Sequence, residues 1–282
     1  MKLLLCQNGQ AFLDRYESLL LPHEPLYTLI LGNARANLQT TACPSCFFGA
    51  VYAENAQSPL LLFGHMAPFR LLLHSFTADA ALVKQAAALL CQYILENQID
   101  IAGVLASEPL ASAFLSCDRE HTYRRGHGMD IMELRRVKES PLAPGQMRQA
   151  EPADIALLAS WLRAFNQEAV GSELAPEKAL TKAKEKLPHT YIYEDTKRQP
   201  VCMAIFTRFL THGTSIADVY TSPEKRGNGY CRSLIQEMCK LRLAAGDKYL
   251  SLFVDKANPI SNHTYKKVGF QILEDSIEYD RL

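Results

Sequence analysis

Two glycines one residue apart, Gly227 and Gly229, separate an apolar run ending at Tyr220 from an amphipathic segment with Leu234, Ile235, Met238 and Leu241 at helical spacing. Pro223 stops the run, because proline has no N–H to donate to a sheet ladder. Strand, glycine turn and helix N-terminus in that order present unpaired backbone N–H groups at the positive end of a helix dipole. Such a place binds phosphate, and Arg226 at its lip can add a charge-assisted contact. Two familiar phosphate loops do not fit. A Walker loop needs Lys-Ser/Thr after its second glycine, where this chain has Tyr230-Cys231, and a dinucleotide loop needs a third glycine, where it has Arg232. A second chemistry-bearing spacing, Cys43-Pro-Ser-Cys46, has no partner pair, and His23 and His65 do not complete a metal quartet. It reads as the start of a strand.

The glycine loop resembles motif A of the GCN5-related N-acetyltransferases (GNAT), Arg/Gln-x-x-Gly-x-Gly/Ala, with Arg226, Gly229 and Cys231 in the three places. Cysteine in the last slot departs from the pattern but keeps a small residue there. A second block, Asn258 to Gly269-Phe270 with Tyr265 seven residues after the asparagine, is similar to the family's motif B. The resemblance covers residues 147–282.

It implies acetyl transfer from acetyl-CoA to a primary amine by direct attack. The pyrophosphate would lie on Gly227, Asn228, Gly229, Tyr230, Cys231, Arg232 and Ser233 with Arg226 beside them, and the pantetheine along the strand edge Val219-Tyr220-Thr221. Tyr265 would give a proton to the departing sulfur, and Asn258 would tie its segment to the cofactor. Asp218 and Glu168 are the candidate proton acceptors for the amine. Asp218 reads equally as a strand residue paired with Lys or Arg, and Glu168 as a helix-end charge. The acceptor implied is a small-molecule or peptide amine. A different class, a CoA-binding sensor or interaction module without turnover, keeps the same loop.

These residues must be positioned by strands and helices, and 282 residues suffice for two lobes. Residues 1–138 read as one lobe, 139–146 (Glu139-Ser-Pro-Leu-Ala-Pro-Gly-Gln146) as a linker, and 147–282 as the acetyltransferase domain. Helical pattern from about Gln10 to Leu38 precedes strands Cys46–Ala53, Pro59–His65 and Phe69–His74, helix Ala78–Gln98, strand Ile101–Ala106, helix Pro109–Cys117 and a strand pair around His121–Arg136. The second half repeats the order: helices Pro152–Phe165 and Ala175–Lys186, then strands Thr190–Glu194, Pro200–Phe209 and Thr214–Thr221. Helix Gly229–Ala245, strand Tyr249–Val254, helix Ile260–Val268 and strands Gln271–Leu273 and Ile277–Arg281 complete it. The expected fold is α/β (α+β): two tandem GNAT-like lobes, each a mixed, mostly antiparallel sheet flanked by helices. The first lobe has no glycine between Gly64 and Gly103, so its counterpart of the loop, Leu73 to Asp79, lacks permissive residues. It reads as a degenerate copy.

Lys+Arg and Asp+Glu number 30 each, so no global field favours nucleic acid or an anionic membrane. The N-terminal apolar run is too short for a signal peptide or a span, and the eight scattered cysteines suit reduced thiols. Cytoplasmic localisation is expected, with homodimerisation left open.

Overall fold

The computed structural model describes residues 1–282, apart from the side chain of Val170. It divides into two compact units. The first holds Met1–Ile131, Val254–Ala257 and Ile272–Leu282, and the second Met132–Phe253 and Asn258–Gln271.

The first unit runs β1 (Lys2–Leu5), α1 (Gly9–Leu20), α2 (Thr28–Ala36), β2 (Cys46–Tyr52), β3 (Leu61–Met66), β4 (Leu71–Ser75), α3 (Ala80–Glu96), β5 (Gly103–Ala106), α4 (Glu108–Leu115) and β6 (Tyr123–Leu134). Short antiparallel pairings join β1 to β2, β2 to β3 and β3 to β4, while β4 and β5 run parallel. Asn8 caps α1 by accepting the Ala11 N–H at 2.9 Å. The alanine- and leucine-rich α3 packs Ala86, Ala87, Leu90 and Ile94 onto the sheet residues Phe47, Phe63 and Leu73.

The second unit runs β7 (Gln146–Gln149), α5 (Ile155–Phe165), a π-helical turn (Asn166–Val170), α6 (Pro176–Lys186), β8 (Thr190–Glu194), β9 (Pro200–Thr207), β10 (Gly213–Thr221), α7 (Tyr230–Ala244), β11 (Tyr249–Asp255) and α8 (Pro259–Val268). The strand order β11-β10-β9-β8-β7 is antiparallel except for the parallel β10–β11 pair. Leu158, Leu162, Ala179 and Ala183 of α5 and α6 pack on Ile192, Met203, Ile205 and Tyr220 of the sheet. The two units therefore repeat one order of elements, β-α-α-β-β-β-α-β-α, with the parallel pair at the same place in each.

Four details differ from the sequence reading. The strand pair around His121–Arg136 is the single strand β6, and the strands at 271–273 and 277–281 are one strand, β12 (Gln271–Arg281). The charged Glu274-Asp275 continues in extended backbone at the end of a stretch, Gln271–Glu274, whose residues are exposed on both faces of the strand. Two short edge strands, β1 and β7, add to the elements that the sequence pattern marks. Nor do the units divide at 139–146. The chain passes from one to the other at Ile131/Met132, and β12 lies with the first unit, pairing Ile277 with Ala106 and Tyr279 with Val104 of β5.

The segment read as a linker is fixed to α7. Ser140 Oγ donates to Gln236 Oε1 at 2.7 Å, and Gln236 Nε2 donates to the Ser140 carbonyl at 3.0 Å. The Ala143 N–H donates to Ser233 Oγ at 2.8 Å, the Ala143 carbonyl accepts from Tyr193 Oη at 2.7 Å, and Arg232 Nη2 donates to the Pro141 carbonyl at 2.8 Å. Its prolines and glycine set an extended path whose polar backbone is paid for by side chains of the second unit.

Candidate active site

The parallel pair β10–β11 holds register only at Gly213–Tyr249, Thr214–Leu250 and Ser215–Ser251, where the two serine hydroxyls meet at 2.8 Å. From Ile216 on, no pairing with β11 is formed among the described residues, although β10 continues to Thr221 and β11 to Asp255. A bulge between Ala217 and Tyr220 of β10, with Asp218 at φ +50°, turns the strand at this point. The result is a V whose open side leads to the glycine loop.

In that loop Gly227 (φ +80°) and Gly229 (φ +79°) take the left-handed conformation. A Cβ on Gly227 would meet nothing within 4 Å, and one on Gly229 only Arg232 Nη2 at 3.6 Å and Ala143 Cβ at 4.0 Å. The glycines are therefore required by backbone conformation rather than by crowding from the protein. No side chain among the described residues caps α7, so none takes the first N–H groups at the positive end of the helix. That fits a pyrophosphate.

The remaining loop residues hold this shape. Asn228 Nδ2 donates to the Lys225 and Arg226 carbonyls at 3.1 and 3.2 Å. Ser233, fully buried, donates to the Gly229 carbonyl at 3.1 Å while accepting from Ala143. Tyr230 packs 5.9 Å from Tyr193. Arg226 turns back: its Nε donates to the Thr221 carbonyl at 3.0 Å, its Nη2 to Glu168 at 2.6 Å, and its Cζ lies 5.7 Å from the Tyr220 ring centroid. Both ion-pair partners are about half exposed.

The structure thus joins Glu168 to the loop through Arg226. Asp218 is engaged elsewhere, by Lys182 of α6, whose Nζ lies 3.0 Å from its carboxylate. Asn258 caps α8, accepting the Ser261 N–H at 3.0 Å. Tyr265 is 6% exposed, its ring 5.9 Å from Phe270, and its hydroxyl makes no hydrogen bond among the described residues. Burial, together with the thiols of Cys231 and Cys202, pushes that phenol well above its ordinary value of 10. It stays protonated at neutral pH. Cys202 is pushed up by burial and by its neighbour Cys231, so it too stays protonated.

Sequence reasoning missed Arg208 and Lys182. Arg208 follows β9 directly, at φ +47°, with its Cζ 5.7 Å from the ring centroid of Phe253 on β11. No motif marks either residue. Elsewhere, Cys43 and Cys46 close a tight turn by exchanging backbone hydrogen bonds at 2.9 and 3.0 Å. Among the described residues no helix is long and apolar enough to cross a membrane.

Residues 155–270 match the sequence model of the Acetyltransferase (GNAT) family. This segment is a GNAT acyltransferase domain, and acetyl-CoA is its cosubstrate. The fold of the whole chain is similar to that of a GNAT-family acetyltransferase from Colwellia psychrerythraea, at TM-score 0.59 and 9% identity over 99% of each chain. A Drosophila protein gives TM-score 0.63 at 12% identity over 99% of this chain and 98% of its own. A GCN5-related N-acetyltransferase from Sphaerobacter thermophilus gives 0.59 at 14% over 88% and 84%. No curated protein matches the chain in sequence.

Proposed function

We propose that the second unit transfers the acetyl group of acetyl-CoA directly to a primary amine. The observation that carries this reading is the V between β10 and β11 opening beside an uncapped, glycine-led helix N-terminus. When bound, the cosubstrate supplies the thioester whose carbonyl carbon the amine attacks.

The backbone N–H groups from Gly227 to Arg232, ahead of the Ser233 N–H that already donates to the Gly229 carbonyl, bind the pyrophosphate, and the free edge of β10 up to Tyr220 pairs with the pantetheine amides as an added strand. Tyr265, protonated and with a free hydroxyl, holds a proton for the sulfur. In the transfer the C–N bond forms, the C–S bond breaks, the amine's proton passes to Asp218 directly or through water, and the thiolate takes the phenolic proton. Asp218 is assigned as the base because it stands at the bulge in the V, whereas Glu168 pairs with Arg226 beside the phosphate loop. Lys182 orients the Asp218 carboxylate. The first unit takes no CoA, because the matching helix N-terminus is filled by its own Asp79.

Thiol release from acetyl-CoA across a panel of primary amines tests this. Amine-dependent release is expected. CoA that binds while no amine is acetylated would point instead to a sensor.

A further inference from the structure

Arg208 combines three unfavourable features that its contact with Phe253 and the field of Asp218 offset only in part. It is a non-glycine residue at φ +47°, in the left-handed region that crowds its Cβ against the backbone. Its Nε is shut off from solvent and has no hydrogen-bond partner among the described residues. Burial lowers its pKa to about 10, a shift the Asp218 carboxylate opposes, so the guanidinium is charged at neutral pH but weakly solvated. Buried polar groups in native proteins are nearly always satisfied, and an exception calls for an explanation. Strain and an unmet donor together at the edge of a site point to a ligand.

Position narrows the ligand. Arg208 leaves β9 next to the closed end of the V, since Thr207 pairs with Ser215 and Ser215 with Ser251. Its guanidinium rests over Phe253 of β11 and lies in the field of Asp218 on β10. It therefore reaches from the end of β9 to Phe253 on β11, within electrostatic range of the carboxylate assigned to the amine. Around Asp218 there are two cations, Lys182 and Arg208, against one carboxylate, and Lys182 is already bonded to it. Arg208 itself forms no ion pair with a carboxylate among the described residues and feels Asp218 only through its field. A polyamine would meet two fixed cations here. A molecule with an ammonium at one end and a carboxylate a short distance away would find Asp218 for the first and a forked guanidinium for the second.

We infer that the acceptor is a small amino-carboxylate, and that Arg208, braced on Phe253, binds its carboxylate and sets acceptor specificity. This rests on the acetyltransferase reading above. A site built to bond a substrate group rejects the analogue lacking it strongly, so the preference should be large.

The test uses the intact protein and matched pairs of amines, each amino acid beside its own carboxamide and its decarboxylated amine, read by thiol release from acetyl-CoA. Acids should exceed their partners by about 100-fold or more in kcat/KM. Arg208→Gln should erase that preference by raising KM for the acids alone, with CoA affinity within a few-fold of the parent as the check on folding. Arg208→Lys should keep part of it. Acids and amides used equally, or a preference surviving in Arg208→Gln, would overturn the inference while leaving the transferase reading intact. If no amine releases thiol, that reading fails. Calorimetry of the same pairs on CoA-saturated protein then decides the inference, and absent or equal binding overturns it.

Discussion

Asp79 Oδ1 accepts the N–H groups of Ala81 and Leu82 at 2.9 and 3.2 Å, so the residue before α3 occupies the place where an anion would otherwise sit. The corresponding residue before α7 is Gly229, which leaves its helix N-terminus open. One carboxylate in place of a left-handed glycine both satisfies the donors and repels phosphate.

Titration with CoA should accordingly give one site per chain. Asp79→Ala should lower stability by about 1 kcal/mol, the usual cost of losing such a cap, without creating a second site, because no glycine turn precedes α3. Two sites in the unaltered protein would mean that α3 binds phosphate despite its cap.

Glu168 and Asp218 can be told apart by mutation. The Arg226–Glu168 pair is about half exposed, so Glu168→Gln should change stability by no more than about 1 kcal/mol. It should leave kcat within a few-fold and CoA affinity equal or higher, since Arg226 is freed. Asp218→Asn keeps a residue that tolerates the left-handed conformation and should lower kcat by about 100- to 10,000-fold. The reverse pattern in steady-state kinetics would assign the base to Glu168.

Tyr265→Phe removes only a hydroxyl that bonds to nothing in the protein, so its melting temperature should barely move. A thiol leaves tolerably well unaided, near pKa 8.5, so the loss in kcat should lie between about tenfold and a thousandfold, with KM for acetyl-CoA little changed. The sign of the shift matters for the pH profile. The phenol is raised above 10, so its ionisation cannot produce a basic limb below about pH 10. A limb near pH 8 that vanished in the Phe variant would contradict the assignment.

The loop, its strand and its helix were legible because phosphate binding by backbone demands glycines at fixed offsets, and Gly227 and Gly229 adopt the left-handed conformation expected of them. The remainder was not legible for specific reasons. Arg226 and Glu168 are 58 residues apart, and local pattern carries no record of such a pairing. Arg208 acquires its meaning only from the splay of β10 from β11 and from Phe253 across it. The prolines of 139–146 mark an extended path equally well whether it floats or is bonded to α7. β12 reads as an ordinary last strand, and nothing in its residues states that its partner is β5.

That last point yields a prediction about fragments. Residues 147–282 alone lack Met132–Gln146, which belong to the second unit. Ser233, Gln236 and Arg232 would lose their partners at Ala143, Ser140 and Pro141, and β12 would lose β5. Each buried polar group stripped of its partner costs about 1–3 kcal/mol, so the fragment should show no cooperative urea transition, whereas the full chain should. A fragment that unfolds cooperatively and binds CoA with the parent's affinity would show these contacts to be dispensable.

The central claim is that phosphate is held by the backbone at the head of α7. Backbone amide chemical shifts of the intact protein, followed by NMR during titration with CoA, test it most directly. The largest changes should fall on Gly227 to Ser233 and on Val219 to Thr221, saturating at one equivalent, with Asp79 to Leu82 unmoved. Saturation with the Gly227–Ser233 amides unchanged, or with the α3 amides shifted in their place, would contradict it.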